Sequence, residues 1–187
     1  RARNGGEVRL SGGRRLSNWQ PVTDPAVLER LDPAARSKVV QTSLRVPGIS
    51  DFGQPGGGFG LQGGPGLELF FNDEPMTLAR FPNDGFIKIS KTEGSTEVDV
   101  RGTKGRAEGV FTCDSDRLAR WVGEKDGTVL GYWFWDWAEQ RQRIESVDAP
   151  AKRLTLSKPW HGYGYRSGQW FYAYNLLCEI DRPGEWY

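Results

Sequence analysis

The stretch GYWFWDWAEQ, residues 131–140, sets Tyr132, Trp133, Phe134, Trp135 and Trp137 within six positions and places Asp136 among them. Two chemistries suit these residue types. Pyranose rings present C–H faces to aromatic π-faces, so Trp133, Trp135 and Trp137 are candidates for sugar stacking. A carboxylate among aromatics loses hydration, which raises its pKa and would fit Asp136 for general-acid work. Glycoside hydrolysis usually takes two carboxylates about 5–10 Å apart. Asp114, Asp116 and Glu139 are candidates by type for the second. The competing readings are structural. The tryptophans would pack in the sheet core or against an adjoining domain, and Asp136 would bond to loop amides or to Arg141.

A second candidate is the glycine-rich WHGYGYR, residues 160–166, which holds the single histidine of the chain, His161. Its glycines leave the backbone free, so Tyr163, Tyr165 and Arg166 are expected to point outward along a cleft. His161 is either a ligand contact or acid/base partner there, or a structural turn histidine. One histidine without a matching set of cysteines or carboxylates makes no zinc site. No GxSxG motif supplies a serine nucleophile. Arg80 and Asn83, in LARFPND, either contact a glycan or satisfy loop carbonyls. The run PGISDFGQPGGGFGLQGGPG, residues 47–66, carries nine glycines and three prolines. It has no GK[ST], and no helix follows it, so it is not a phosphate cradle.

Strands must position these groups. Asp24 as N-cap and Pro25 at the first helical position predict a short helix over 25–31. Strands are expected over 7–10, 38–44, 67–71 and 76–80, the last two joined by a tight hairpin at Asn72–Asp73. Further strands are expected over 85–90 and 108–113, with the polar segment 95–105 read as a flexible excursion. Ser115 caps a short helix over 115–123 that sets Leu118, Trp121 and Val122 on one side and stops at Gly123. Strands over 128–137, 141–148 and 153–158 come next, then QWFYAYN and a helical turn in NLLCEIDRPG. In the strand 128–137, alternation would put Trp133, Trp135 and Trp137 on one face and Tyr132, Phe134 and Asp136 on the other. The fold class is all-β, a sandwich or barrel with two or three short helices.

Bulk composition narrows the partners. Lys and Arg total 25 against 24 Asp and Glu, a balance that gives no electrostatic case for nucleic acid or an anionic membrane. The arginines near the start, among them Arg14 and Arg15, read as a solvated strand face. No apolar run approaches the roughly 20 residues that span a bilayer. Gly (25) and Pro (11) together suit many short strands joined by turns rather than disorder. Cys113 and Cys178 have no metal-like spacing; they read as buried thiols, with a long-range disulfide as the alternative.

The segments LELFFNDEPMTLARFPNDGFIKI, GYWFWDWAEQRQRIESVD, KPWHGYGYRSGQWFYAYNLL and DRPGEWY resemble, in that order, a module of large bacterial right-handed parallel β-helix proteins. These include polysaccharide-degrading glycoside hydrolases of the α-fucosidase and xylanase type. The resemblance spans about residues 38–187. It implies a rung fragment of β-helix and an entry segment over 1–20, with a possible parallel β-helix rung at NGGEVRLSGG. An inserted β module then occupies 21–187, with its glycine-rich loop at 47–66. It further implies a non-catalytic accessory role, bracing or lining a polysaccharide-binding cleft beside the adjoining β-helix of an extracellular or periplasmic parent. No cofactor is implied, and no catalytic residue of the family maps onto a position here. The alternatives are a stand-alone glycan-binding module and a glycoside hydrolase with Asp136 as general acid.

Overall fold

The structure, a computed structural model, describes residues 6, 11–45, 47–53, 57–59 and 66–187. The strand expected over 7–10, and with it most of the rung segment, lies outside the described residues. Before residue 80 the pairings are short. β1 (Gln20–Pro21) runs antiparallel to β2 (Val40–Gln41), with α1 (Pro25–Arg30) between them. The Asp24 carboxylate accepts the Ala26 amide at 2.9 Å, the N-cap bond expected of it. Only two residues of the strand expected over 38–44 pair. β3 (Phe70–Phe71) and β4 (Glu74–Pro75) form a hairpin with its turn at the expected Asn72–Asp73, but the expected partner strand 76–80 is corrected: residues 77–78 and 80–81 pair with later strands instead. Asn72 and Asp73 both take positive φ, 51° and 66°, the conformation of a two-residue hairpin turn.

β5 (Thr77–Leu78) leads into the main sheet through β6 (Arg80–Phe81), β7 (Ile87–Lys88) and β8 (Lys91–Glu93). β9 (Glu97–Val100) and β10 (Thr103–Arg106) come next, and here the expectation of a flexible excursion is corrected. The segment is a regular antiparallel hairpin. Arg101 and Gly102 supply the left-handed turn, and Asp99 accepts the Gly102 amide at 2.8 Å. Its polarity reflects a ribbon with much of its surface in water, not a lack of structure.

The remaining elements are β11 (Val110–Thr112), α2 (Leu118–Trp121), β12 (Thr128–Tyr132), β13 (Glu139–Asp148), β14 (Arg153–Leu156), β15 (Trp170–Tyr174) and β16 (Glu185–Trp186). A 3-10 turn, Leu177–Glu179, precedes β16, which pairs in parallel with β5. In α2, Leu118 and Trp121 are buried as expected, but Val122 lies past the end of the helix and is exposed.

The principal sheet has eight strands in the order β6–β15–β12–β13–β14–β11–β8, with β7 also on β15. The long β13 pairs β12 with its first half and β14 with its second, and the register shifts between Ile144 and Ser146. Bulges bend strands, and this sheet folds over on itself. Phe111 of β11 and Phe171 of β15 stand four ladder steps apart, roughly 19 Å in a flat sheet. Their ring centroids are nevertheless 5.1 Å apart. Both inner faces thus feed one core of Phe111, Val129, Trp133, Leu154, Leu156 and Phe171 among others. A smaller core of Val22, Leu31, Ala79, Leu177 and Ile180 fastens α1 to the sheet. The architecture is all-β, with two short helices.

Cys113 and Cys178 are buried free thiols. Burial pushes the Cys113 thiol up to about 12, and Cys178 up as well. Both are protonated core residues, not a disulfide. No helix among the described residues is long and apolar enough to cross a membrane.

Candidate functional site

The aromatic stretch is not one long strand. β12 ends at Tyr132, and Trp133 folds back over Gly131, where an added Cβ would lie 2.5 Å from the Trp133 ring. Glycine is required there by close approach. Trp133 is fully buried against Phe111, Tyr165 and Phe171, and its Nε1 donates to the Gln140 carbonyl at 2.9 Å. The next residue, Phe134, is also fully buried. Two successive buried side chains break strand alternation, so the expected shared face of Trp133, Trp135 and Trp137 is corrected. The reason lies in the loop opposite. Arg166 donates its amide to the Trp133 carbonyl at 2.9 Å and its Nε to the Phe134 carbonyl at 3.1 Å, which takes both acceptors away from a ladder.

This turn carries residues 135–137 out toward solvent. Trp135 is half-buried, edge-on to Phe134 at 5.0 Å, with the Arg166 guanidinium 5.6 Å from its ring centroid. Asp136 and Trp137 are exposed, Trp137 by 50%. Trp137 is held upright between two rings, Phe59 at 4.8 Å and Tyr163 at 5.9 Å. Phe59 comes from the glycine-rich loop, itself 53% exposed. The loop is pinned to the free edge of β13: the Phe59 amide donates to the Glu139 carbonyl at 2.8 Å, and the Arg141 amide to that of Gly57 at 3.0 Å. Gly58 fits between because an added Cβ would meet the Glu139 oxygen at 2.3 Å. The glycines therefore permit a close backbone docking that carries an aromatic ring to Trp137.

The 160–166 loop divides into a buried and a displayed half. Tyr165, expected to point outward, is fully buried; its hydroxyl donates to Gln142 Oε1 at 2.5 Å and accepts the His161 amide at 3.1 Å. Burial raises its pKa, so the phenol stays neutral. His161 is buried too, and its Nδ1 accepts the Tyr163 amide at 3.3 Å. Burial lowers its pKa below the ordinary 6.5, so it is a neutral ring that shapes the turn. Its centroid lies 5.6 Å from Tyr163, the one tyrosine of the loop that reaches the Trp137 cluster.

Asp136 is exposed rather than enclosed by the rings beside it. Its partner is neither a loop amide nor Arg141 but Gln169, whose Nε2 donates to Asp136 Oδ1 at 3.2 Å and to the Tyr132 carbonyl at 2.6 Å. Gln169 Oε1 in turn accepts Arg166 Nη2 at 3.0 Å. Asp114 and Asp116 pair with Lys152 at 2.8 and 2.9 Å, by the turn that ends β13. That end is roughly 30 Å of strand from Glu139, so of the three candidate second carboxylates only Glu139 sits near Asp136. Arg80 is occupied by the Pro82 and Gly85 carbonyls, and Asn83 by Asp181. Among the described residues, no group of three or more His, Cys, Asp or Glu could hold a metal ion.

The arrangement is a surface cluster, Phe59–Trp137–Tyr163, bordered by Asp136 and Arg166, which the buried Gln169 links. Sequence reasoning missed Phe59 and Gln169. Phe59 was detectable as one of two aromatics, with Phe52, inside the glycine run, but its target was not. A separate open groove of about 710 Å³ beside β1 and β2 is lined by polar residues such as Arg15, Asn18, Gln20 and Gln41, with no carboxylate among its described lining residues. A scan of protein-family models and searches of curated proteins and of solved structures return no significant match to this chain.

Proposed function

We propose that this chain is a non-catalytic β module that supplies a polysaccharide-binding surface to a larger carbohydrate-active protein of the parallel β-helix kind, working outside the cytoplasm. The observation that carries the binding role is the exposed Trp137, held between Phe59 and Tyr163 with hydrogen-bonding groups at its border. Exposed flat rings are costly in water unless something covers them. A sugar meets both requirements, with C–H groups for the rings and hydroxyls for Asp136 and Arg166. The parent context rests on the motif resemblance. A chemical role for Asp136 is disfavoured because it is exposed and its carboxylate is engaged by Gln169.

The test is calorimetric titration of the chain against xylan, mannan, homogalacturonan and fucoidan, with Trp137→Ala and Tyr163→Ala alongside. Binding of at least one polysaccharide, lost in Trp137→Ala while the circular dichroism spectrum is unchanged, supports the reading. Flat titrations across the panel, or glycan turnover abolished by Asp136→Asn, overturn it.

A further inference from the structure

We propose that the outer face of the sheet continues the Trp137 platform into a track for an extended glycan chain, laid across the strands. The inference rests on the reading of Trp137 as a sugar site. Strand register builds the track. Gly58 bridges Gln140, which places Phe59 opposite Glu139. Glu139 pairs with Tyr132 on β12, and Trp170 on β15 pairs with Lys88 on β7. Paired residues share a face. The Tyr132 and Trp170 rings meet at 6.2 Å, which joins the two halves of the row.

Phe59, Glu139, Tyr132, Trp170 and Lys88 thus succeed one another across five neighbouring segments. Four steps at the interstrand spacing make roughly 19 Å. Phe86, 46% exposed, lies over this row, 6.0 Å from Tyr132 and 5.7 Å from Tyr172. Trp137 extends the row at the Phe59 end through its 4.8 Å contact. The opposite face of the same strands is core, with Val129, Phe171 and Ala173 fully buried.

The composition of the row identifies the occupant. A dry protein interface favours contiguous apolar residues with charges kept to the rim. Here the charged Glu139 stands between the rings of Phe59 and Tyr132, and Lys88 follows Trp170, on strands spaced by close to the length of one pyranose residue. That pattern suits a chain that repeats an apolar face and a hydroxyl edge at every unit. The expected ligand is an oligosaccharide of about four residues or more, each further ring engaged within an already bound chain.

The experiment uses oligosaccharides of two, four and six residues from xylan, mannan, homogalacturonan and fucoidan. They are titrated against the wild-type chain, Trp137→Ala, Phe86→Ala and Trp170→Ala. Affinity should rise about tenfold from two residues to four, and Phe86→Ala and Trp170→Ala should each remove about that gain while leaving the disaccharide unchanged. Phe86 is exposed, so its variant keeps the test valid if Trp170→Ala misfolds. Length-independent affinity that only Trp137→Ala abolishes overturns the track and leaves the platform standing. Absence of binding by every oligosaccharide overturns both. Self-association lost in Phe86→Ala, with no effect on glycan affinity, assigns the face to a second copy and overturns the track.

Discussion

Replacing Glu179 by alanine should destabilise the module severely, although the residue is far from the aromatic platform in sequence. Its carboxylate is fully buried and takes Arg117 Nε at 2.9 Å, Arg117 Nη2 at 2.7 Å and Trp121 Nε1 at 2.6 Å. These bonds tie α2 to the 3-10 turn before the last strand. Trp121 is itself 1% exposed, so its indole N–H would lose its partner at a cost of about 1–3 kcal/mol. Arg117 would keep Asp181 at 3.0 Å and so would not be wholly unpaired. That places the loss toward the lower part of the range for breaking a buried pair, about 3–4 kcal/mol. At about 2–4 °C per kcal/mol for a chain of this size, Tm should fall by about 6–16 °C. Thermal melts followed by circular dichroism measure this directly. Glu179→Gln keeps the shape and an acceptor for Trp121, and should lose about half as much. The double variant Arg117→Met with Glu179→Met removes both charges together and should recover the part of the deficit due to the broken ion pair, while the Trp121 indole stays unpartnered. An alanine variant melting within about 2 °C of wild type would refute the reasoning.

Other expectations come from the loops. Tyr165→Phe leaves Gln142 Oε1 and the His161 amide unpaired inside the core, and should cost about 1–3 kcal/mol in urea unfolding. His161 has a folded pKa below 6.5 because of burial. The unfolded chain therefore takes the proton first, so this contribution is intact above about pH 6.5 and is lost as pH falls toward the folded value. Wild type should lose more stability than His161→Gln between pH 7.5 and 5.5, and parallel slopes would contradict the assignment. Gly58→Ala sets a Cβ against the Glu139 carbonyl and should displace Phe59 from Trp137. Glycan affinity should fall several-fold with little change in Tm, whereas unchanged affinity would show that the loop does not build the platform.

Much of the sheet was legible because its signals are local. Asp24–Pro25 marked α1, the Asn72–Asp73 pair marked a hairpin, and alternation marked β11 and β14. The hairpin at Glu97–Arg106 was misread because charged residues and glycines dominate its sequence, although the alternation of EVDV, with Val98 and Val100 on one face, and the Arg101–Gly102 turn were both present. The failure at 133–137 has a different origin. Alternation assumes a continuing ladder, and here Arg166, some thirty residues later, takes the Trp133 and Phe134 carbonyls. No local pattern encodes that competition. The same non-local logic hid Phe59, whose partner lies across a backbone contact open only to glycine, and Tyr165, whose hydroxyl finds Gln142 inside the core. Of the candidate site, the stretch itself was readable; which of its tryptophans faces water was not.

The central claim is that Trp137, and not the buried tryptophans beside it, meets sugar. The chain has eight tryptophans, and each indole N–H gives its own signal in a nitrogen–proton correlation spectrum. Titration with the polysaccharide that binds should shift the Trp137 indole first, with Trp170 responding to longer chains. Trp121 and Trp133, buried and hydrogen-bonded to Glu179 and the Gln140 carbonyl, should stay fixed. A titration in which bound glycan leaves the Trp137 indole unmoved would contradict the account.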